Sequence, residues 1–125
     1  MGINCTYISD AEVTYYVNEV DCVLTGAEVV LSDGSILNRT GTFMVGLCAE
    51  QARKPMICLA ESYKFINKVF LTQRDIPNHM ELDPKRKEPV VITDLTHSKY
   101  LKLFCTNIGC MSPDSVSFRM ANNFN

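Results

Sequence analysis

Neither a basic excess nor a long apolar run is present. Lysine and arginine total 12 against 14 aspartates and glutamates, for a formal charge of −2. Proteins that hold nucleic acid commonly carry a basic face, so direct nucleic-acid binding is not expected. No apolar stretch nears the ~20 residues of a membrane-spanning helix. The opening Met1-Gly2-Ile3-Asn4-Cys5 has neither the basic flank nor the apolar core of a secretory signal. A myristoylation reading of Met1-Gly2 rests on too short a motif to carry weight. Also absent is any Cys-x-x-Cys, and His79 and His97 stand far from any cysteine pair, so no metal is expected. The fingerprint G-x-G-x-x-G is missing, and with it support for a nicotinamide or flavin cofactor.

What is present is an ordinary soluble composition in 125 residues, about one domain. Of six cysteines, Cys22, Cys48, Cys58 and Cys105 lie inside apolar runs, where a free thiol acts as a small hydrophobe. The expectation is a cytoplasmic chain with reduced thiols. The one basic cluster, Lys85-Arg86-Lys87 between Pro84 and Pro89, is expected to be a solvated loop.

Along the chain, Ile3 to Ile8 is a β-rich run. Ser9 with Glu12 forms a capping box, and Val13, Tyr16, Val17 and Val20 then fall on one face of a helix over Asp10 to Val20. "CVLTG" suggests a strand buried on both faces, and "VVLSDGSIL" a hairpin about Asp33-Gly34. The spacing of Met44, Val45, Cys48, Ala49 and Ala52 predicts a helix from Thr42 to Arg53, stopped before Pro55. "MICLA" follows as a strand, Asn78 to Pro89 as a polar loop, "VVIT" as an extended piece and "YLKLFCTNIG" as the last strand. Ser112 as cap and Pro113 as first helical residue open a terminal helix, with "ANNFN" expected to fray. Strands alternating with helices predict an α/β fold with a mostly parallel sheet.

In such a sheet a ligand lies beyond the carboxyl ends of the strands. There stand Glu28, then Glu61 and Lys64, with Asn38 and Arg39 ahead of the helix start at Gly41-Thr42. A helix start offers unpaired N–H groups and the positive end of the dipole, which suits an anion. Arg39 and Lys64 supply cations, Asn38 a hydrogen bond, and Glu28 an acceptor for sugar hydroxyls. Taken singly, each has a plainer reading. Glu28 is then a solvated carboxylate, Glu61 with Lys64 a surface ion pair, Asn38 a turn residue and Thr42 a helix cap. As a set they suggest a floor for a sugar phosphate or nucleotide.

These same segments carry a family resemblance. "GAEVVLSDGSILNRTGT", followed by a helix and "KPMICLAESYKF", resembles the carboxyl-terminal half of the regulatory subunits of eukaryotic translation initiation factor 2B, the alpha subunit above all. "AESYKFINKVFLTQRDIP" and "CTNIGCMSPDSVS" resemble further segments of those subunits, in the same order, over Asp10 to about Val116. The resemblance implies a Rossmann-like three-layer sandwich over residues 1–125, truncated on its amino-terminal side, without the helical half that family members carry ahead of it. It implies a regulatory, non-catalytic subunit of a guanine nucleotide exchange complex. The implied partners are the beta and delta subunits, initiation factor 2 with its phosphorylated alpha subunit, and a second copy of the chain, docked through "SKYLKLFC" and the terminal helix. The wider family includes isomerases of methylthioribose-1-phosphate and ribose-1,5-bisphosphate, which use an earlier cysteine and an aspartate in a "GAD" segment. Here Glu28 stands in the aspartate's place, and the chain is expected to begin beyond the cysteine. Binding without isomerisation is the expectation, and a sugar-phosphate isomerase the alternative.

Overall fold

The computed structural model describes residues 2–77 and 80–122. Asn78, His79 and the final Asn123–Asn125 lie outside the described residues, and with them the fraying expected of the terminus beyond Asn122.

The expected strand over residues 3–8 does not form. Ile3 is 76% exposed and Tyr7 fully so. Among the described residues no strand edge takes up its backbone groups, and an unpaired strand is not stable in water. The capping box does form, with the Glu12 carboxylate accepting from the Ser9 N–H (3.1 Å) and hydroxyl (2.9 Å). It opens a 3-10 turn, Asp10–Glu12, which runs into the short helix α1, Val13–Tyr16. The helix stops well before Val20. None of its own residues is buried; Val17 just past its end is, with Val13 packed partly against the same core, and β-branched residues add little intrinsic helicity.

Three strands then run parallel: β1 (Val23–Thr25), β4 (Met56–Leu59) and β8 (Leu103–Thr106). They stand in the order β1-β4-β8, with β9 (Gly109–Met111) antiparallel on the edge. The mostly parallel α/β sheet is thus as expected. The single last strand is instead a hairpin, because Asn107-Ile108 turns the chain and Gly109 adopts φ +117°. Between β1 and β4 lie β2 (Val29–Val30) and β3 (Ile36–Arg39), which form an antiparallel sheet with β7 (Thr93–Thr96). The Asp33-Gly34 turn joins β2 to β3 as predicted. Gly34 has φ +87°, and a Cβ there would stand 2.8 Å from the Pro113 carbonyl oxygen, so both backbone and space demand glycine.

Helix α2 runs Thr42–Gln51, ending near the predicted point. The polar loop is only partly a loop: β5 (Met80–Leu82) pairs with β6 (Pro89–Val91), leaving Lys85-Arg86-Lys87 exposed between them. The terminal helix α3, Pro113–Asn122, opens at Pro113 as predicted, and the Ser112 carbonyl accepts from the Ser115 N–H.

One core holds this together. Met56, Cys58, Phe104 and Met111 on one sheet face meet Val30 and Ile36, Ala49 of α2, and Val116 and Met120 of α3. A satellite of Leu31, Leu37, Ile76 and Leu95 lies under the second sheet. The other face of the parallel sheet carries the in-register rows Leu24–Ile57–Leu103 and Leu59–Cys105–Cys110. On it Leu24 is 61% and Leu59 48% exposed, so β1 is not buried on both faces. The described residues therefore supply two layers, the sheet and one cover. Of "SKYLKLFC", Leu101 and Phe104 are buried in the core, while Leu103 and Cys105 lie half-buried on the open sheet face. Among the described residues no helix is long and apolar enough to cross a membrane.

Candidate functional site

Parallel register sets the ends of β1, β4 and β8 along one edge, and the start of α2 comes to the same edge beside Thr25. A recess of about 200 Å³ opens there, lined by Asp10, Thr25, Arg39, Thr40, Gly41 and Thr42 over Leu24, Val45 and Met56. Of the sequence-predicted residues, Arg39, Gly41 and Thr42 line it directly. Asn38 supports it from behind: its Nδ2 donates to Thr42 Oγ1 (3.2 Å), and that hydroxyl donates to the Arg39 carbonyl (2.8 Å). Thr42 is thus both a wall of the recess and the staple of its own helix start.

Glu28, Glu61 and Lys64 do not line this recess. Glu28 is exposed, and its backbone N–H donates to the Leu37 carbonyl. Glu61 and Lys64 flank the 3-10 turn Ser62–Lys64, with Nζ to Oε1 at 3.5 Å. The Tyr63 hydroxyl donates to Glu61 Oε2 at 2.8 Å and is the chief cause holding the Glu61 carboxyl below its ordinary range. This turn is fastened to the end of β8, where Asn107 Oδ1 accepts from the Ser62 N–H at 2.7 Å.

The start of α2 is not vacant. Gly41, at φ +115°, donates its N–H to Asp94 Oδ2 at 2.9 Å, and Phe43 donates to the same oxygen at 3.1 Å. Asp94 sits on β7 opposite Asn38 and is buried. A carboxylate at a helix start is favoured by the dipole and by the free N–H groups. Burial nevertheless raises its pKa above the ordinary value, opposed by the Phe43 and Gly41 N–H groups. Its second oxygen, Oδ1, has no hydrogen-bond partner among the described residues. Two of the donors assigned to an external anion are therefore held by the chain itself. Arg39, the three threonines and Asp10 line what remains; the Thr25, Thr40 and Thr42 hydroxyls donate to the Gly26, Val91 and Arg39 carbonyls, and the Asp10 carboxylate stands 3.9 Å from where a Gly41 Cβ would be.

Sequence reasoning missed Asp10, Thr25 and Asp94; Asn107 it placed at the end of a strand without making it a site residue. Asp10 and Thr25 end apolar runs and were open to the strand-end argument. Asn107 was visible in the same way after "LFCT". Asp94 carried no such signal, because its partners lie 51 and 53 residues away.

A mostly parallel α/β sheet whose first strand ends beside a helix start, with a small recess between them, defines a Rossmann-like domain. The Initiation factor 2 subunit family matches residues 1–113, and the chain belongs to that family. It is 36% identical over 124 residues to the ribose 1,5-bisphosphate isomerase of Archaeoglobus fulgidus, covering 90% of this chain and 39% of that protein. It is 33% identical over 127 residues to the translation initiation factor eIF2B subunit alpha of Caenorhabditis elegans, covering 92% and 40%. Among solved structures, the translation initiation factor eIF-2B of Pyrococcus horikoshii OT3 aligns with a TM-score of 0.74 at 25% identity, over 85% of this chain and 38% of that one. The 5-methylthioribose 1-phosphate isomerase of the same organism shares the fold, with a TM-score of 0.82 at 20% identity, over 99% and 39%. The chain thus spans about two-fifths of the length of these relatives.

Proposed function

We propose that this chain belongs to a regulatory, non-catalytic subunit of a translation initiation factor 2B complex, and that its recess binds a sugar phosphate or nucleotide without converting it. The partners in this reading are beta and delta subunits of that complex, initiation factor 2 and a second copy of the chain. The relatives named as alpha and delta subunits support it. The observation that carries the binding-only reading is the state of the two acids. Glu28, where the isomerase resemblance puts an aspartate, is exposed and lies outside the recess. Asp94, the buried acid, is committed to the helix start. An acid that moves a proton must reach the reacting atom and work with a partner group; Glu28 and Asp94 are not free in the recess, and Asp10, which lines it, has no second acid, histidine or cysteine beside it among the described lining residues.

In this arrangement Arg39 takes the phosphate, Thr25, Thr40 and Thr42 wall the recess with their hydroxyls held by backbone carbonyls, and Asp10 accepts from sugar hydroxyls. Glu61 and Lys64 form the outer rim, fixed by Asn107. The test is an assay of the full polypeptide with ribose 1,5-bisphosphate and 5-methylthioribose 1-phosphate, beside calorimetric titration with both. Binding without ketose product is expected, weakened about tenfold or more in Arg39→Ala by loss of a charge-assisted bond of roughly 1.5–3 kcal/mol. Ketose product would replace this reading with the isomerase one, which the 36% identity to the archaeal enzyme favours. Binding of neither compound would remove the ligand from the proposal. Co-purification with beta and delta subunits checks the assembly separately.

A further inference from the structure

The hairpin that ends the parallel sheet holds a pair of thiols that the candidate site does not use. Cys105 and Cys110 are directly opposed in the β8–β9 register, with Sγ to Sγ at 3.4 Å. Cys110 is exposed and Cys105 half-buried, on the uncovered sheet face. By contrast Cys58 is fully buried, and desolvation pushes its thiol up to about 12, which makes it inert. Cys5 and Cys22 are exposed, and no thiol contact involves them among the described residues. Opposed residues of an antiparallel pair have Cα atoms about 4.5 or about 5.5 Å apart. Both values fall inside the ~4.4–6.8 Å that a disulfide spans, so closure needs rotation about the side chains and little backbone movement.

We propose that Cys105 and Cys110 form a dithiol modification site, oxidised reversibly to an intrachain disulfide by a low-molecular-weight disulfide of the glutathione class. The Cys110 thiolate, the more accessible, attacks one sulfur of the oxidant. A protein–glutathione disulfide forms and one glutathione thiolate leaves. Cys105 then gives up its proton and attacks Cys110 Sγ, closing the ring and expelling the second glutathione. Two electrons pass from the protein pair to the oxidant, which leaves as two thiols. The closed ring spans residues 105–110 and contains Asn107, the residue that fastens the Ser62–Lys64 turn. The Cys105 carbonyl also accepts from the Ala60 N–H at 3.1 Å. Oxidation therefore stiffens the β8–β9 hairpin and, through Asn107, the rim that carries Glu61 and Lys64.

The test takes the reduced full polypeptide through graded ratios of oxidised to reduced glutathione, with free thiols then capped by alkylation. Cleavage after Lys102 and Arg119 releases one peptide holding both cysteines. It is expected two hydrogens lighter and unalkylated, reverting on addition of dithiothreitol, under conditions where Cys5 and Cys22 remain alkylated or carry single adducts. In Cys105→Ser the reaction is expected to stall with glutathione on Cys110. Slower amide exchange at Ser62 in the oxidised form reads out the coupling to the rim. Full alkylation of both cysteines while Cys5 and Cys22 already carry glutathione would overturn the assignment. So would a Cys110 adduct that never closes in the wild type, or ring closure that persists in Cys105→Ser.

Discussion

At the scale of single residues, the start of α2 shows how a charge that looks free in sequence is consumed in the fold. Asp94 Oδ2 takes the Gly41 and Phe43 N–H groups, while its Oδ1 is buried without a partner among the described residues. Asp94→Ala is expected to lower stability by about 1–2 kcal/mol, the usual cost of losing a helix cap, measured by urea denaturation. Asp94→Asn keeps an acceptor for the two N–H groups and removes the buried charge. Because burial raises the folded-state pKa of Asp94, its favourable contribution is complete below the unfolded pKa and is lost as pH rises through the folded one. The asparagine variant should therefore gain on the wild type from mild acid toward neutral pH. A constant difference between the two over that range would refute the assignment. Gly34 is the opposite case, legible beforehand: Asp33-Gly34 between apolar runs announced its turn, and only the approach of Pro113 was hidden. Gly34→Ala should cost upward of ~1 kcal/mol from the positive φ alone.

At the scale of elements, boundaries followed local chemistry wherever a stop signal existed. Helix α2 ends with Arg53 at φ +60°, while the Lys54 N–H returns to the Ala49 carbonyl at 2.9 Å. That left-handed position ordinarily goes to glycine. Arg53→Gly is expected to raise the thermal midpoint modestly, since relief of ~1–2 kcal/mol of steric strain is partly offset by the unfolded-state entropy of glycine. A lower midpoint would mean that the Arg53 side chain holds the helix end by contacts of its own. Elements without a stop signal were misread. Residues 3–8 have strand propensity, yet propensity describes fit to a half-buried surface, and these residues meet none. "YLKLFCTNIG" looked continuous because the turn at Asn107-Ile108 has no Asn-Gly or Asp-Gly pair, and the glycine follows one position later. The strand ends of the candidate site were legible from topology alone. The division of its residues into a recess with Arg39 and a separate rim with Glu61 and Lys64 was not, since it depends on where β2 and β3 leave the sheet.

At the scale of the molecule, the described residues cover the parallel sheet on one side only. Leu24 alternates with half-buried neighbours on β1 and Leu59 follows buried Cys58 on β4, and Ile57, Leu103 and Cys105 complete an apolar surface between them. Parallel sheets in α/β folds are ordinarily covered on both faces. A contiguous apolar patch of this kind seeks contact. Of the residues Ser98 to Cys105, Leu103 and Cys105 lie on this face, whereas Leu101 and Phe104 already serve the core. A polypeptide of these 125 residues is therefore expected to associate with itself through the open sheet face, with strand β1 at its edge. Leu24→Lys with Leu59→Lys places two charges on that face without touching Met56, Cys58 or Phe104 beneath the sheet, and should shift sedimentation toward the monomer. Each exposed leucine buried on association contributes roughly 1.5–3 kcal/mol, so the double substitution should weaken association by a hundredfold or more. A wild-type chain that sediments as a monomer at high micromolar concentration would show that the open face stays solvated. Unchanged association in the double variant would move the contact elsewhere, with the exposed Phe118 of α3 and Leu71 next to be replaced.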